Sequence, residues 1–193
     1  MRKLDADDAF PDPTTKRIKF IEAMTTDSEM VKITLRIVTS SKVRQPLIFY
    51  QYDVQRDAII KALEDSKITF VEVNGKSHSY FDSSTTKIMP VLCQYASAST
   101  AFEAKLSDTT IYFGLPDSSI NFDQSLGRNA RRGQEMETIM NYVLTPIDAS
   151  GKPVAQFQKQ WSRIQNKMTQ NAKFLQAFRT KWGTYEDAPK RKA

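Results

Sequence analysis

The residues best suited to chemistry in this sequence are basic side chains in its last third. Arg128, Arg131 and Arg132 lie within one short segment, and arginine forks hydrogen-bond phosphate and carboxylate oxygens. Together with free N–H groups at the start of a helix that we predict to follow, they would form a cradle for such an anion. The alternative interpretation is a basic loop without a ligand.

A second basic set lies on one long helix, which the apolar spacing predicts over residues 153–182. No Asp or Glu occurs between Pro153 and Tyr185. Because like charges one turn apart repel, an anionic partner is favoured, and nucleic-acid phosphates are such a partner. The alternative is a solvated face on a helix that packs on its own domain. The predicted polyanion-binding residues of this helix are Lys159, Arg163, Lys167, Lys173, Arg179 and Lys181.

The opposite face of this helix is apolar, with the 3-4 spacing typical of a core-facing helix or a coiled coil. Asn171 is the polar exception in the series. This stripe supports a second hypothesis, a structural or assembly subunit of a virion or other large complex that uses the helix for subunit contacts. The residues predicted to form the packing or oligomer seam are Phe157, Trp161, Ile164, Met168, Leu175 and Phe178.

One acidic motif suggests a third hypothesis. Glu103-Ala104-Lys105 is an E-x-K triplet with Asp82 upstream, and this arrangement resembles the PD-(D/E)xK nuclease core. The resemblance implies that the two carboxylates hold Mg²⁺ and that Lys105 positions or activates water. A Mg²⁺-dependent nuclease is therefore a further alternative.

The sequence lacks the residues that several other kinds of site require. With Cys93 alone an internal disulfide is excluded, and with His78 alone a multi-histidine metal site is excluded within one chain. There is no P-loop, and no apolar run approaches the ~20 residues of a membrane span. We therefore predict no enzymatic activity, no metal and no cofactor. The cysteine usage and the acidic, polar N-terminus favour a cytoplasmic, reducing compartment, with a virion as an alternative.

The charge is unevenly distributed along the chain. The formal net charge is +6. Residues 1–126 contain 15 Lys/Arg against 17 Asp/Glu, whereas residues 127–193 contain 13 against 5. We predict an N-terminal arm over 1–30, an α/β body over 31–126 and a basic helical segment over 127–193 that packs on the body.

Periodicity gives the expected elements of the body. Asp53 is predicted to cap a helix over 54–65. Asn74-Gly75 predicts a hairpin turn, with residues 76–81 as its return strand. Ile88–Tyr95 is a predicted strand with Pro90 inside it, at an edge or a bulge. Three further strands are predicted at Ile33–Val38, Ile68–Val73 and Thr109–Phe113, and a helical face at Met136–Leu144.

These elements predict a mixed α+β fold, with a small, mostly antiparallel sheet and one or two helices, followed by a C-terminal antiparallel helical pair. Residues 31–95 also resemble a thioredoxin-like module, the alternative fold. Met89-Pro90-Val91 stands where that family has its cis-proline, and Ser40-Ser41-Lys42-Val43 replaces its C-x-x-C. The resemblance implies a redox-inactive core.

The function predicted first is non-catalytic binding of nucleic acid or another polyanion. The segment from Gly127 to Ala193 would contact phosphates without reading bases. Self-association or a larger assembly is the alternative kind of partner.

Overall fold

The centre of the protein, in a computed structural model, is a five-stranded parallel sheet with the strand order β2-β3-β1-β4-β5. The structure describes residues 29–40, 43, 45–74, 89–98, 104, 107–129, 138–148 and 150–182. The strands are β1 (Leu47–Tyr50), β2 (Val71–Val73), β3 (Val91–Gln94), β4 (Thr109–Tyr112) and β5 (Met140–Val143). The helices are α1 (Glu29–Val38), α2 (Asp53–Asp65), α3 (Tyr95–Ala98), α4 (Ser119–Leu126) and α5 (Ala155–Trp182).

Helices cover both faces of this sheet. On one face, residues of α1 and α2 such as Val31 and Ile59 pack with Ile48 and Ile111 of the strands. On the other face, Phe122 of α4 and the first half of α5 pack over Phe49 and Tyr112. Strands covered on both sides must be apolar at successive positions, as all four residues of β1 are. The chain is therefore a three-layer α/β fold.

The prediction of a small antiparallel sheet is wrong. Every strand pair within the described residues is parallel, and parallel neighbours need crossover connections rather than hairpins. The all-parallel sheet also rules out the thioredoxin-like alternative. β2 pairs in parallel with β3, and residues 76–81, the predicted return strand of the hairpin, lie outside the described part of the chain.

The predicted C-terminal helical pair is also wrong, because its first member is a strand. Met140–Val143 forms β5 at the edge of the sheet, in parallel register with β4. Met140 and Asn141 are exposed there and Leu144 is buried. Apolar residues that match a helical face thus belong to a short edge strand. Residues 130–137 lie outside the described ranges.

The first predicted strand is a helix. The alternation of Lys32 to Ile37 suggested a strand, yet α1 buries Val31, Thr34 and Val38, which follow the helical spacing i, i+3, i+7. Ile33, a supposed core residue of the strand, is largely exposed. The predicted N-terminal arm overlaps α1 at its last two residues, and its first 28 residues lie outside the described ranges.

Several predicted elements are confirmed, including the strand predicted at Ile68–Val73, which is the shorter β2. The helix at 54–65 is α2, although the residue at its N-cap is Tyr52 rather than Asp53. The strand at Thr109–Phe113 is β4, and the long C-terminal helix is α5. The strand predicted at Ile88–Tyr95 is the shorter β3, which lies inside the sheet between β2 and β1. Pro90 precedes this strand, and its carbonyl accepts a hydrogen bond from Val71 N at 3.0 Å.

An ion pair connects α2 to the sheet. Arg56 donates from Nε to Glu72 Oε1 at 2.6 Å and from Nη2 to Oε2 at 2.8 Å. The Glu72 carboxylate also accepts hydrogen bonds from Tyr50 and Asn74. The hydrogen bonds from Arg56 hold the pKa of Glu72 below its ordinary value, against a smaller opposing effect of burial.

Replacing Glu72 with glutamine is expected to lower the free energy of unfolding at neutral pH by about 1–2 kcal/mol, because the fork of charged hydrogen bonds is lost. A lowered carboxyl pKa stabilises the fold fully above the ordinary value of 4.5, and this stabilisation disappears as the pH falls through the lowered pKa. Urea unfolding in a pH series should therefore show E72Q and the unmodified chain converging in acid. Glu64→Gln, the same change at an exposed position of α2, is the control. A difference in unfolding free energy between E72Q and the unmodified chain that does not change with pH would contradict a stabilising role of the charged Glu72 carboxylate.

Candidate nucleic-acid interface

The helix α5 is positioned by its apolar face. Phe157 and Ile164 are buried in the core, and Trp161 and Met168 are half-buried against it. The Trp161 ring meets that of Phe122 edge-on, with 5.4 Å between the ring centroids. Four of the residues predicted for an oligomer seam therefore pack within the chain.

The beginning of α5 is fixed by a tight turn after β5. Asp148 Oδ1 accepts hydrogen bonds from Ser150 N at 2.8 Å and from Lys152 N at 3.1 Å. The Ser150 hydroxyl donates to the same oxygen, and this hydrogen bond, followed by the one from Lys152 N, lowers the pKa of Asp148. Gly151 has φ +76°, a conformation that side-chain-bearing residues rarely adopt. After this turn, α5 runs over the face of the sheet that α4 also covers.

A polar side chain attaches α5 to the carboxyl edge of the sheet. Gln160 Nε2 donates to Leu115 O at 3.0 Å and to Pro116 O at 3.2 Å. These carbonyls follow β4, which lies next to β1 in the sheet. The chain leaves β4 toward β5 on one side of the sheet order, and it leaves β1 toward β2 on the other side. The two connections diverge at this point, and in open parallel sheets ligands bind outside the strand ends at such a switch point. The N-terminal half of α5 thus lies beside the edge where this class of fold binds its ligands.

The switch point itself is closely packed. Gln55 Oε1 accepts hydrogen bonds from Gln51 N at 3.0 Å and from Tyr52 N at 3.2 Å. Gly114 lies against the same amide, and a Cβ at that position would be 2.5 Å from Gln55 Nε2. Tyr95 donates to Gly114 O at 2.8 Å. This cluster could not be predicted from sequence, because only the parallel sheet brings β1, β3 and β4 together.

The outward face of α5 is basic. Lys159, Arg163, Lys167 and Lys173 are all exposed, and none of the four forms an ion pair with another described residue. The row from Lys159 to Lys173 extends about 21 Å at 1.5 Å per residue. We call these four residues the α5 basic face. Arg179 and Lys181 lie on the last turns of the helix, and their side chains are outside the described part of the structure.

Arg128, the one described member of the arginine cluster, is placed differently from its prediction. Arg128 follows the C-terminal end of α4 rather than the start of a helix, and a cation there complements the helix dipole. It is only 4% exposed, and its carbonyl accepts from Ala104 N at 3.2 Å. Burial raises the pKa of the Cys93 thiol, and the charge of Arg128 opposes that effect. The side chain of Arg128 is therefore part of the domain interior, and Arg131 and Arg132 lie outside the described residues.

The other predicted chemistry finds no support within the described ranges. Asp82, Glu103 and Lys105 all lie outside them, so the nuclease arrangement stays a prediction. Among the residues that are described, no group of three His, Cys, Asp or Glu side chains could hold a metal ion. In the same part of the chain, no helix combines the length and apolar character needed to cross a membrane.

Comparisons with known proteins are informative at the level of structure. No protein-family model matches the sequence, and no curated protein matches it. The fold matches that of T4 UvsW, with a TM-score of 0.56 and 13% sequence identity over 82% of this chain. The C-terminal part of the Fun30 ATPase domain is a more distant neighbour, with a TM-score of 0.46 and 14% identity over 64% of this chain.

This chain shares its fold with T4 UvsW. It spans 35% of the length of that structure and 40% of the length of the Fun30 structure. The comparisons do not bear out the prediction that the protein is not an enzyme. Nothing in the comparisons supports a structural or virion role.

Proposed function

We propose that this chain is a nucleic-acid-binding domain of an ATPase, and that it holds the sugar–phosphate backbone on the α5 basic face. The observation that carries this proposal is the acid-free row of exposed Lys and Arg side chains on a helix whose other side is packed in the core as far as Met168. A rigid helix presents its charges at a fixed spacing, so little ordering is required when a polyanion binds.

The expected mode of binding is electrostatic and independent of sequence. Lys and Arg contacts to phosphates release condensed counterions, which makes the affinity strongly dependent on salt. Such contacts position the nucleic acid without reading its bases. The proposal therefore names a phosphate backbone as the ligand and assigns no base-specific residue.

The deciding experiment is a salt series of binding to fluorescent DNA and RNA oligonucleotides, measured by anisotropy. With four phosphate contacts on a duplex, the slope of log K against log salt is expected to be about −3.6, since each contact contributes about −0.9. Tight binding that does not change with salt, or no binding at low salt, would contradict the phosphate assignment. Different mixed sequences should bind alike.

The ATPase part of the proposal derives from the description of the Fun30 structure. It is tested separately, by phosphate release from ATP with the full-length protein, with and without nucleic acid. Release stimulated by nucleic acid is the expected result. Absence of any turnover would contradict the enzyme class and leave the binding proposal intact.

A further inference from the structure

The strand β5 leaves one edge of the sheet open. It is last in the strand order, and among the described residues it pairs with β4 alone. Met140 N donates to Asp108 O of the β4 side at 2.7 Å. Because successive residues of a strand direct their backbone groups to opposite sides, Asn141 and Val143 face away from β4. An edge of this kind presents N–H and C=O groups that a further strand can pair with.

The sequence of β5 lacks the features that usually protect an edge strand. Such strands typically carry lysine or another charged residue, a proline or a bulge. Residues 138–145 contain no charged residue and no proline, and the register with β4 is continuous from Met140 to Val143. Met140 is 47% exposed, and Asn141 is exposed as well. The open edge is therefore accessible to another chain.

A groove of about 630 Å³ lies between α1 and this edge of the sheet. Its apolar lining includes Ile33 and Ile37 of α1 and Met140 and Tyr142 of β5. Met140 and Tyr142 are two residues apart, so their side chains lie on the same face of the sheet, the one that α1 covers. A strand added about 4.8 Å from β5 would place every second side chain on that face. The groove thus fits apolar side chains at alternate positions of an added strand.

The groove also contains a cation. Arg36 of α1 lines it and is exposed, and it forms no ion pair with another described residue. The acidic residue of the groove is Asp108, whose carboxylate accepts a hydrogen bond from the Thr109 hydroxyl at 2.9 Å. A partner that complements Arg36 carries a carboxylate. A second copy of β5 would not supply one, because residues 138–145 contain no Asp or Glu.

We propose that the open edge of β5 binds an extended peptide of a partner protein as an added strand. Asn141 and Val143 would pair with the peptide backbone, alternate apolar side chains would occupy the groove, and an acidic side chain would lie beside Arg36. In this mode of recognition, main-chain hydrogen bonds give affinity and pockets for alternate side chains give specificity. The inference is independent of the proposed function, since α1 covers the opposite face of the sheet from α5.

The test begins with selection of ten-residue peptides from a random phage-displayed library on the immobilised protein. Enriched sequences should share apolar residues at alternate positions and an Asp or Glu. A selected peptide is then N-methylated at one backbone position at a time, and its affinity is measured by anisotropy. Methylation of an N–H that pairs with β5 should weaken binding about 2- to 12-fold. Methylation of the intervening residues should have no effect, so that sensitivity alternates along the peptide.

A charge exchange tests the contact with Arg36. Arg36→Glu should weaken binding of the selected peptide about fivefold, and replacing the acidic residue of the peptide by lysine should restore it. Lys61→Glu makes the same change in net charge at an exposed position of α2. This control should bind the original peptide as the unmodified chain does.

Three results would overturn the proposal. Failure to enrich any peptide, or sensitivity to N-methylation that does not alternate, would reject strand addition. Equal binding of the original peptide by R36E and the unmodified chain would reject the acidic contact. A dimer detected by light scattering that dissociates when the peptide binds would show that a second copy occupies the edge, and would reject the assignment to a partner protein.

Discussion

Replacing Lys159, Arg163 and Lys167 together by glutamine is expected to weaken binding of a single strand about 100-fold at 0.1 M salt. Each lost phosphate contact removes about 0.7 from the slope of log K against log salt. The slope should therefore become shallower by about 2, and the difference between the two proteins should shrink as salt rises. Anisotropy titrations at four or more salt concentrations measure both quantities.

The loss of binding cannot be ascribed to unfolding of α5. Removing cations spaced one turn apart relieves repulsion within the helix, so the helix content measured by circular dichroism should be unchanged or slightly higher. The side chains being replaced are exposed, and their removal leaves the buried face of α5 unaltered.

A matched variant removes the same charge elsewhere. Lys32, Lys61 and Lys67 are exposed on or next to α1 and α2, in the layer on the opposite side of the sheet. Their replacement by glutamine lowers the net charge equally, yet should change affinity far less. Equal loss in both variants would indicate attraction by net charge alone and would reject the α5 basic face as the binding surface.

The basic face could be predicted from sequence because both faces of α5 are encoded within one continuous segment. The apolar residues repeat at helical spacing, and the cations fall among the other positions, where no Asp or Glu occurs. Local periodicity is sufficient for such an element. What it could not supply is the attachment of Gln160 to Leu115 and Pro116, which are more than forty residues away in the chain.

The parallel sheet is hard to predict from sequence because its buried strands do not alternate apolar and polar residues. Leu47 to Tyr50 and Val91 to Cys93 are buried in succession, as expected for strands covered on both faces. The Asn74-Gly75 dipeptide predicts a turn, but a turn dipeptide carries no information about which strands pair. Strand order depends on contacts between segments far apart in sequence, and these are settled by packing of the helices on both faces.

The errors at α1 and β5 have a common physical origin. Both segments are short and partly exposed, so few positions are constrained by burial and both periodicities can be fitted. Ile33 is exposed on α1, and Met140 is exposed on the edge strand β5. The reason is different for Arg128. Arginine is rarely buried, and the nearby Arg131 and Arg132 in the sequence favour a surface contact with a ligand.

The two halves of α5 differ in burial. As far as Met168 the helix is part of the core, with Ile164 at 2% exposure. Beyond it the described side chains are exposed, and Leu175, although it continues the apolar spacing, is 52% exposed. The sequence pattern predicts that Leu175 belongs to the same seam as Ile164, but among the described residues the core packing of α5 extends only as far as Met168.

The stability of the domain should therefore respond very differently to the same kind of truncation at these two positions. Ile164→Ala leaves a cavity under α5 and is expected to lower the free energy of unfolding by about 2–5 kcal/mol. Leu175→Ala removes a side chain that is half in solvent and should change it by no more than about 0.5 kcal/mol. Urea unfolding followed by circular dichroism measures both.

A loss at Leu175 as large as that at Ile164 would show that the distal half of α5 packs on something in solution, such as a second copy of the chain. That outcome would return the assembly hypothesis to consideration, and the unfolding midpoint of the unmodified protein would then depend on its concentration. A small effect at Leu175 with a large one at Ile164 leaves the distal half of α5 accessible, which the contact of Lys173 with a nucleic acid backbone requires.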